Sequence, residues 1–294
     1  MSQFPHDEFV KEYFPELYQE YGIVTPSADV MSEKREVDVL FTPTKTVPTT
    51  SETLGLLGKL AQTTCLLEVY RNPVKSEQIM DCIGKLITVR HNLVKTAKKE
   101  KQTPSQSPFL WIITPTISDK ILTEFNAISR ENWEKGVYFL PQGLHTGIVA
   151  IHQLPKDKNT LWLRILGKGT TQIDAIAELK ALPLNYPHRE NILELVYGLL
   201  DKLETKQRQK QGLIKEDETL IMSLRQIYRD KMAEIEKQGL QQGIQQGIQQ
   251  GIQRGKLEGK LETIPLLKQL GMSEEEIATR LELPLEDVLK ASQS

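Results

Sequence analysis

The chain has 294 residues, of which 37 are basic and 39 acidic, for a formal net charge of −2. That balance excludes a general polycation for nucleic acid, so any DNA contact must be local. No apolar run approaches the roughly 18 residues of a transmembrane helix, and the start lacks the basic-then-apolar pattern of a signal peptide, so a cytoplasmic protein without a membrane segment is expected.

Residues 6–21 read as a first helix, because Phe9, Phe14, Leu17 and Tyr21 recur mostly at steps of three and four. Residues 35–41 alternate as a strand does, and 42–51 form a loop of Thr and Pro. Ser51 then stands as the N-cap of a short helix through Leu54, Leu56, Leu57 and Leu60. Residues 64–70 read as a buried strand stopped by Asn72 and Pro73. Ser76 caps a long helix to about Lys99, with Ile79, Ile83, Leu86, Val89 and Leu93 on one face. Its basic end, residues 95–101, reads as a solvated terminus, with a phosphate contact as the alternative. Residues 109–114 form a strand, 117–133 a helix, and 137–140, 147–154 and 161–166 further strands. From Thr171 the pattern is helical throughout.

A long helix between two apolar strands predicts a parallel pair, and strands 35–41 and 64–70 can pair antiparallel. The expected class is α/β: a mixed β-sheet core with flanking helices, followed by an all-helical C-terminal tail. The expected divisions are a core over 1–170, a helical extension over 171–238, a glycine-repeat helix over 239–262 and a small helical module over 263–294. Cys65 and Cys82 read as buried free thiols.

In the repeat, glycine stands at 239, 243, 247, 251, 255 and 259. A period of four drifts about 40° per repeat on a 3.6-residue helix, so a Gly row and a Leu/Ile row wind side by side. Each interior Gly costs about 0.8–1 kcal/mol against Ala. Such a helix is expected to close-pack in a homo-oligomer, with a mobile arm as the alternative. In the module beyond, Ser273 and Glu276 predict a capping box. Its last helix is acidic, which favours helix packing or protein contact over DNA reading.

The candidate chemistry lies in two acids. Asp38 sits in Glu-Val-Asp-Val-Leu and Glu68 in Leu-Leu-Glu-Val-Tyr. A lone charge inside an apolar strand is expensive, so Glu68 must be paired or bound. Pairing of the two strands can bring both carboxylates to one face, a hard oxygen site for Mg²⁺ or Mn²⁺. The structural alternatives are Asp38 as a turn cap or partner of Arg35, and Glu68 paired with Arg71 or Arg90. His6 and Asp7 read as caps of the first helix or as neighbours of the metal.

An acid on one strand, a Glu-x-Lys-like step on the next, then a long helix and another strand, resembles the core of the PD-(D/E)XK nuclease superfamily. The start "HDEFVKEYF", the Gln-Gln-Gly-Ile tail, and the ordered blocks "REVDVLF", "CLLEVYRNP", "LWIITPTIS", "GVYFLP", "IVAIHQLP" and "LWLRILGKGTTQ" resemble its recombination-promoting (Rpn), transposase-related branch, in a cyanobacterial-type subgroup. The resemblance covers about residues 1–200 and the tail. It implies a restriction-endonuclease-like fold and hydrolysis of DNA phosphodiesters with Mg²⁺ or Mn²⁺. Asp38 and Glu68 match the metal-binding acids. The family's lysine position holds Tyr70, with Lys85, on the following helix, or Arg71 as replacements. The alternative function is an inactive nuclease fold serving as an oligomeric scaffold.

Overall fold

The computed structural model describes residues 5–30, 35–99, 107–209 and 215–292. Two compact units divide the chain, Met1–Tyr228 and Arg229–Ser294. In the first, helix α1 (Pro5–Tyr18) precedes strands β1 (Gly22–Val30) and β2 (Arg35–Pro43), the short α2 (Gly55–Leu60) and strand β3 (Cys65–Val69). Helix α3 (Ser76–Lys99) leads to β4 (Phe109–Thr114), α4 (Asp119–Glu124), β5 (Val137–Phe139) and β6 (Thr146–Ala150). Helices α5 (Leu161–Ile165), α6 (Thr170–Ala181) and α7 (Arg189–Arg208) follow, and then α8 (Lys215–Gln269).

The six strands form one mixed sheet in the order β1-β2-β3-β4-β6-β5. β2 pairs antiparallel with β3, and β3 pairs parallel with β4 across α3, as the strand–helix–strand pattern predicts. One face packs on α3 through Leu66, Ile112, Ile148, Ile79, Cys82 and Leu86. The other packs on α1, α2, α5, α6 and α7 through residues such as Phe14, Phe41, Leu67, Trp111, Trp162 and Leu193. Leu220, Ile221 and Leu224 of α8 belong to that same core, so the packed domain extends well past residue 170.

Several expectations are corrected. β1 was not legible: Pro26 and a Ser27 at φ 51° interrupt its pattern, both tolerable because the strand lies at the sheet edge. Residues 161–165 are helix, not strand; a short, wholly buried apolar run carries no period that separates the two. The 117–133 helix stops at Glu124, where Phe125 caps it and Asn126 turns left-handed at φ 47°. The 147–154 strand ends at Ala150 and becomes a 3-10 turn. Ser51 caps nothing, since α2 begins at Gly55 behind Leu54. Ser76 donates to Glu124 at 2.7 Å, while Gln78 accepts from the Lys75 N–H at the helix start.

In the second unit, α9 (Glu274–Leu281) and α10 (Leu285–Ser292) close on the end of α8 around Ile264, Ile277, Leu283 and Val288. Gly271, at φ 88°, turns the chain after α8, and the Ser273–Glu276 capping box is formed. The glycine repeat is helical, and among the described residues nothing beyond the helix's own nearby backbone lies within 4 Å of where a Cβ would stand on any of its six glycines. No described helix is long and apolar enough to cross a membrane.

Candidate functional site

The register of β2 on β3 sets Val39 opposite Leu67 and Leu40 opposite Leu66. Each pair sums to 106, so one further step sets Asp38 opposite Glu68. Side chains alternate along a strand, so both acids share the face carrying Leu40 and Leu66, which is the α3 face. β2 runs against β3, which brings Asp38 to the carboxyl end of the parallel β3–β4 pair. Crevices at that end are where open α/β sheets bind ligands.

A cleft of about 630 Å³ opens there. Asp38, Glu68, Tyr70, Arg71 and Lys85 line it, together with His6, Asp7, Gln78 and Asp217. Lys85 of α3 donates to both Glu68 oxygens, at 2.8 and 3.0 Å. Asp38 Oδ2 accepts from the Val69 N–H at 2.9 Å. Burial raises the Asp38 carboxyl above its usual range, partly offset by that N–H and by Lys85. Burial, then the charge of Asp38, pushes Glu68 up to about 7 in spite of Lys85. Burial opposes the charge on Lys85, but Glu68 outweighs it and holds the ammonium above its usual range. Lys85 is thus the cation bonded to Glu68, and Lys11 adds a weaker pull on Asp38.

That charge balance bears on a metal. Among the described residues no group of three or more His, Cys, Asp or Glu forms a metal cluster. The oxygen donors are two carboxylates, of the hard type that Mg²⁺ and Mn²⁺ prefer. Glu68, driven up by burial and then by its acidic neighbour, is a site that added positive charge would relieve. The donor chemistry suits such an ion, which would share the Glu68 oxygens with Lys85.

Arg71 takes the other direction. In the bend just past β3, it turns to the other side of the sheet from Tyr70 and donates to the Gly167 carbonyl, Gln172 and Asp217. Glu68 therefore pairs with Lys85, and neither with Arg71 nor with Arg90. Arg35's side chain lies outside the described residues, as do positions 100 and 101 of the basic helix end. Lys95, Lys98 and Lys99 are exposed. Tyr70 sits against Cys82, with its oxygen 3.1 Å from the sulfur. Burial raises the Tyr70 phenol, and it pushes the Cys82 thiol up to about 12, so both stay neutral. Cys65 and Cys82 are free and buried.

Sequence reasoning missed Asp217. It stands in the first turn of α8, its Oδ1 lying 3.2 Å from Arg71 Nη2 and 3.4 Å from His6 Nε2. Its only sequence signal is the acidic run Glu216-Asp217-Glu218, which reads as an ordinary helix start. No protein-family model, no curated protein and no solved structure matches this chain.

Proposed function

We propose that the protein is a metal-dependent DNA endonuclease of the PD-(D/E)XK kind, with a restriction-endonuclease-like core of the recombination-promoting branch. The observation that carries this reading is the meeting of Asp38, Glu68 and Lys85 in one open cleft. Asp38 and Glu68 would hold Mg²⁺ or Mn²⁺. Such an ion, when bound, supplies Lewis acidity and lowers the pKa of a water. Lys85, a charge fixed on Glu68, stands where Tyr70 provides none, and can orient a water or steady phosphate charge. Arg71 lines the same cleft from the opposite side of the sheet and is available to the substrate rather than to Glu68.

The test is nicking of supercoiled plasmid with Mg²⁺ or Mn²⁺. Asp38→Ala, Glu68→Ala and Lys85→Ala should each lower the rate by about a hundredfold or more. Calorimetric titration with Mn²⁺ should show binding that Asp38→Ala and Glu68→Ala remove. Equal background cleavage by wild type and all variants would end the reading.

A second reading, a scaffold that keeps the fold without turnover, has one observation in its favour. On α8, Leu240, Ile244, Ile248 and Ile252 are each more than half exposed beside the open glycine row. A homo-oligomer built through this helix would cover them. Light scattering should then give a smaller assembly for a chain ending at residue 238; an unchanged assembly state argues against it.

A further inference from the structure

We infer that Arg71 and His6 form a phosphate subsite in this cleft, and that Asp217 fills it in the free protein as an internal anion. The inference rests on the cleft being a polynucleotide site, and it names how the backbone of that substrate is gripped.

Arg71 is anchored along one side without help from α8. Its Nη1 donates to the Gly167 carbonyl at 2.6 Å and to Gln172 Oε1 at 3.0 Å. The other edge, Nε with Nη2, is the fork that holds two oxygens of a carboxylate or phosphate in parallel. Only half of that fork is in use. Nη2 reaches Asp217 Oδ1 at 3.2 Å, while Nε is buried with no partner among the described residues. A buried unpartnered donor is uncommon and carries a desolvation cost.

The same Asp217 oxygen also receives His6 Nε2, at 3.4 Å. Both contacts are longer than the roughly 2.7–2.9 Å of a well-made charge-assisted bond. A carboxylate that serves two donors with one oxygen, at long range, and leaves the second tine of the fork empty is a poor fit. A phosphodiester, with two non-bridging oxygens, can take Nε and Nη2 together and displace Asp217. All three side chains line the cleft that holds Asp38 and Glu68, so a strand gripped at Arg71 runs past the acids.

The experiment measures binding of a fluorescein-labelled single-stranded deoxyoligonucleotide by anisotropy, in EDTA, on the full chain. Asp217→Asn should tighten binding by roughly tenfold, the scale of one charge-assisted contact released to the ligand. Asp217→Ser is measured beside it, so that one poorly folding substitution does not decide, and thermal melting checks each fold.

Removing any negative charge from the cleft raises its general attraction for DNA, so the fork needs its own arm. In an Arg71→Lys background, which keeps the charge and loses the fork, Asp217→Asn should give no gain. A gain that persists there overturns the proposal. So does unchanged or weaker binding by both Asp217 variants, which marks a purely structural clamp. Plasmid cleavage is scored separately. Absent cleavage with the fork-dependent gain intact removes the nuclease reading and leaves the subsite; cleavage without the gain does the reverse.

Discussion

At Glu68 the Lys85 ammonium meets both oxygens of a buried carboxylate, and the local stability follows from that pair. Lys85→Met takes away the cation bonded to Glu68 and leaves that buried carboxyl unpaired. Breaking a buried pair in this way costs roughly 3 kcal/mol or more, which urea denaturation should show as a lower midpoint with an unchanged slope. His6 gives a pH dependence of definite sign. Burial lowers its pKa below the usual 6.5, against the opposing pull of Asp217. The unfolded chain then binds a proton more readily than the folded chain at this position, so the His6 contribution to stability falls as pH falls below about 6.5. Asp217 has its own carboxyl held low by His6 and Arg71 against burial, and it adds a loss of the same sign only at more acid pH. Glu68, pushed up to about 7, works the other way and favours the folded state on acidification, so the His6 effect is read by difference: as pH falls from 8 to 5 the thermal midpoint of His6→Gln should rise relative to that of wild type. At this scale the sequence was partly legible. Alternation along the strand placed Glu68 on one face and Arg71 on the other, whereas Lys85 was a candidate only through the resemblance to nucleases that take their lysine from the following helix. Asp217 was not legible, because 146 residues separate it from Arg71 and no local period links them.

Among the elements, the parallel β3–β4–β6 core depends on close backbone approach. A Cβ on Gly147 of β6 would stand 2.2 Å from the Trp111 ring, which is boxed in by Phe109, Trp133 and Phe139. Gly147→Ala should therefore destabilise by about 1–3 kcal/mol through overpacking, read as a shift in chemical denaturation. α5 depends on a buried cation: Arg164 binds Glu178 through two nitrogens, and also the Thr160 hydroxyl and the Asp157 carbonyl. Arg164→Ala should cost roughly 2–4 kcal/mol by leaving those groups unmet. The strands expected at 35–41, 64–70 and 109–114 were readable from alternation or apolar runs bounded by turn residues, and lie at 35–43, 65–69 and 109–114. The misread segments share a cause. Residues 161–165 are buried all round, β1 is an edge broken by Pro26, and 125–133 is held by packing and an isolated bridge to Phe139. In each, tertiary contacts decide what local pattern leaves open.

On the scale of the whole molecule, the start of α8 is part of the sheet domain and the remainder is not. A chain ending at Tyr228 keeps Leu220, Ile221 and Leu224 in the core and should melt near the full-length midpoint. One ending at 209 loses three buried side chains, each worth about 1.5–3 kcal/mol, and should melt well below it. The helical tail itself was legible from its period, whereas the point at which packing with the sheet ends was not, because α8 shows no break in sequence there. The ion pair that closes the cleft wall also has a consequence for synthesis. Arg71 and its partner Asp217 are 146 residues apart, and His6 and Asp217 are 211 apart. A ribosome adds roughly 5–20 residues each second, so roughly 7–30 s pass between the making of Arg71 and the making of the acid that occupies it. During that interval Arg71 stands without the carboxylate that meets it in the finished fold, and for most of it without Gly167 and Gln172 as well.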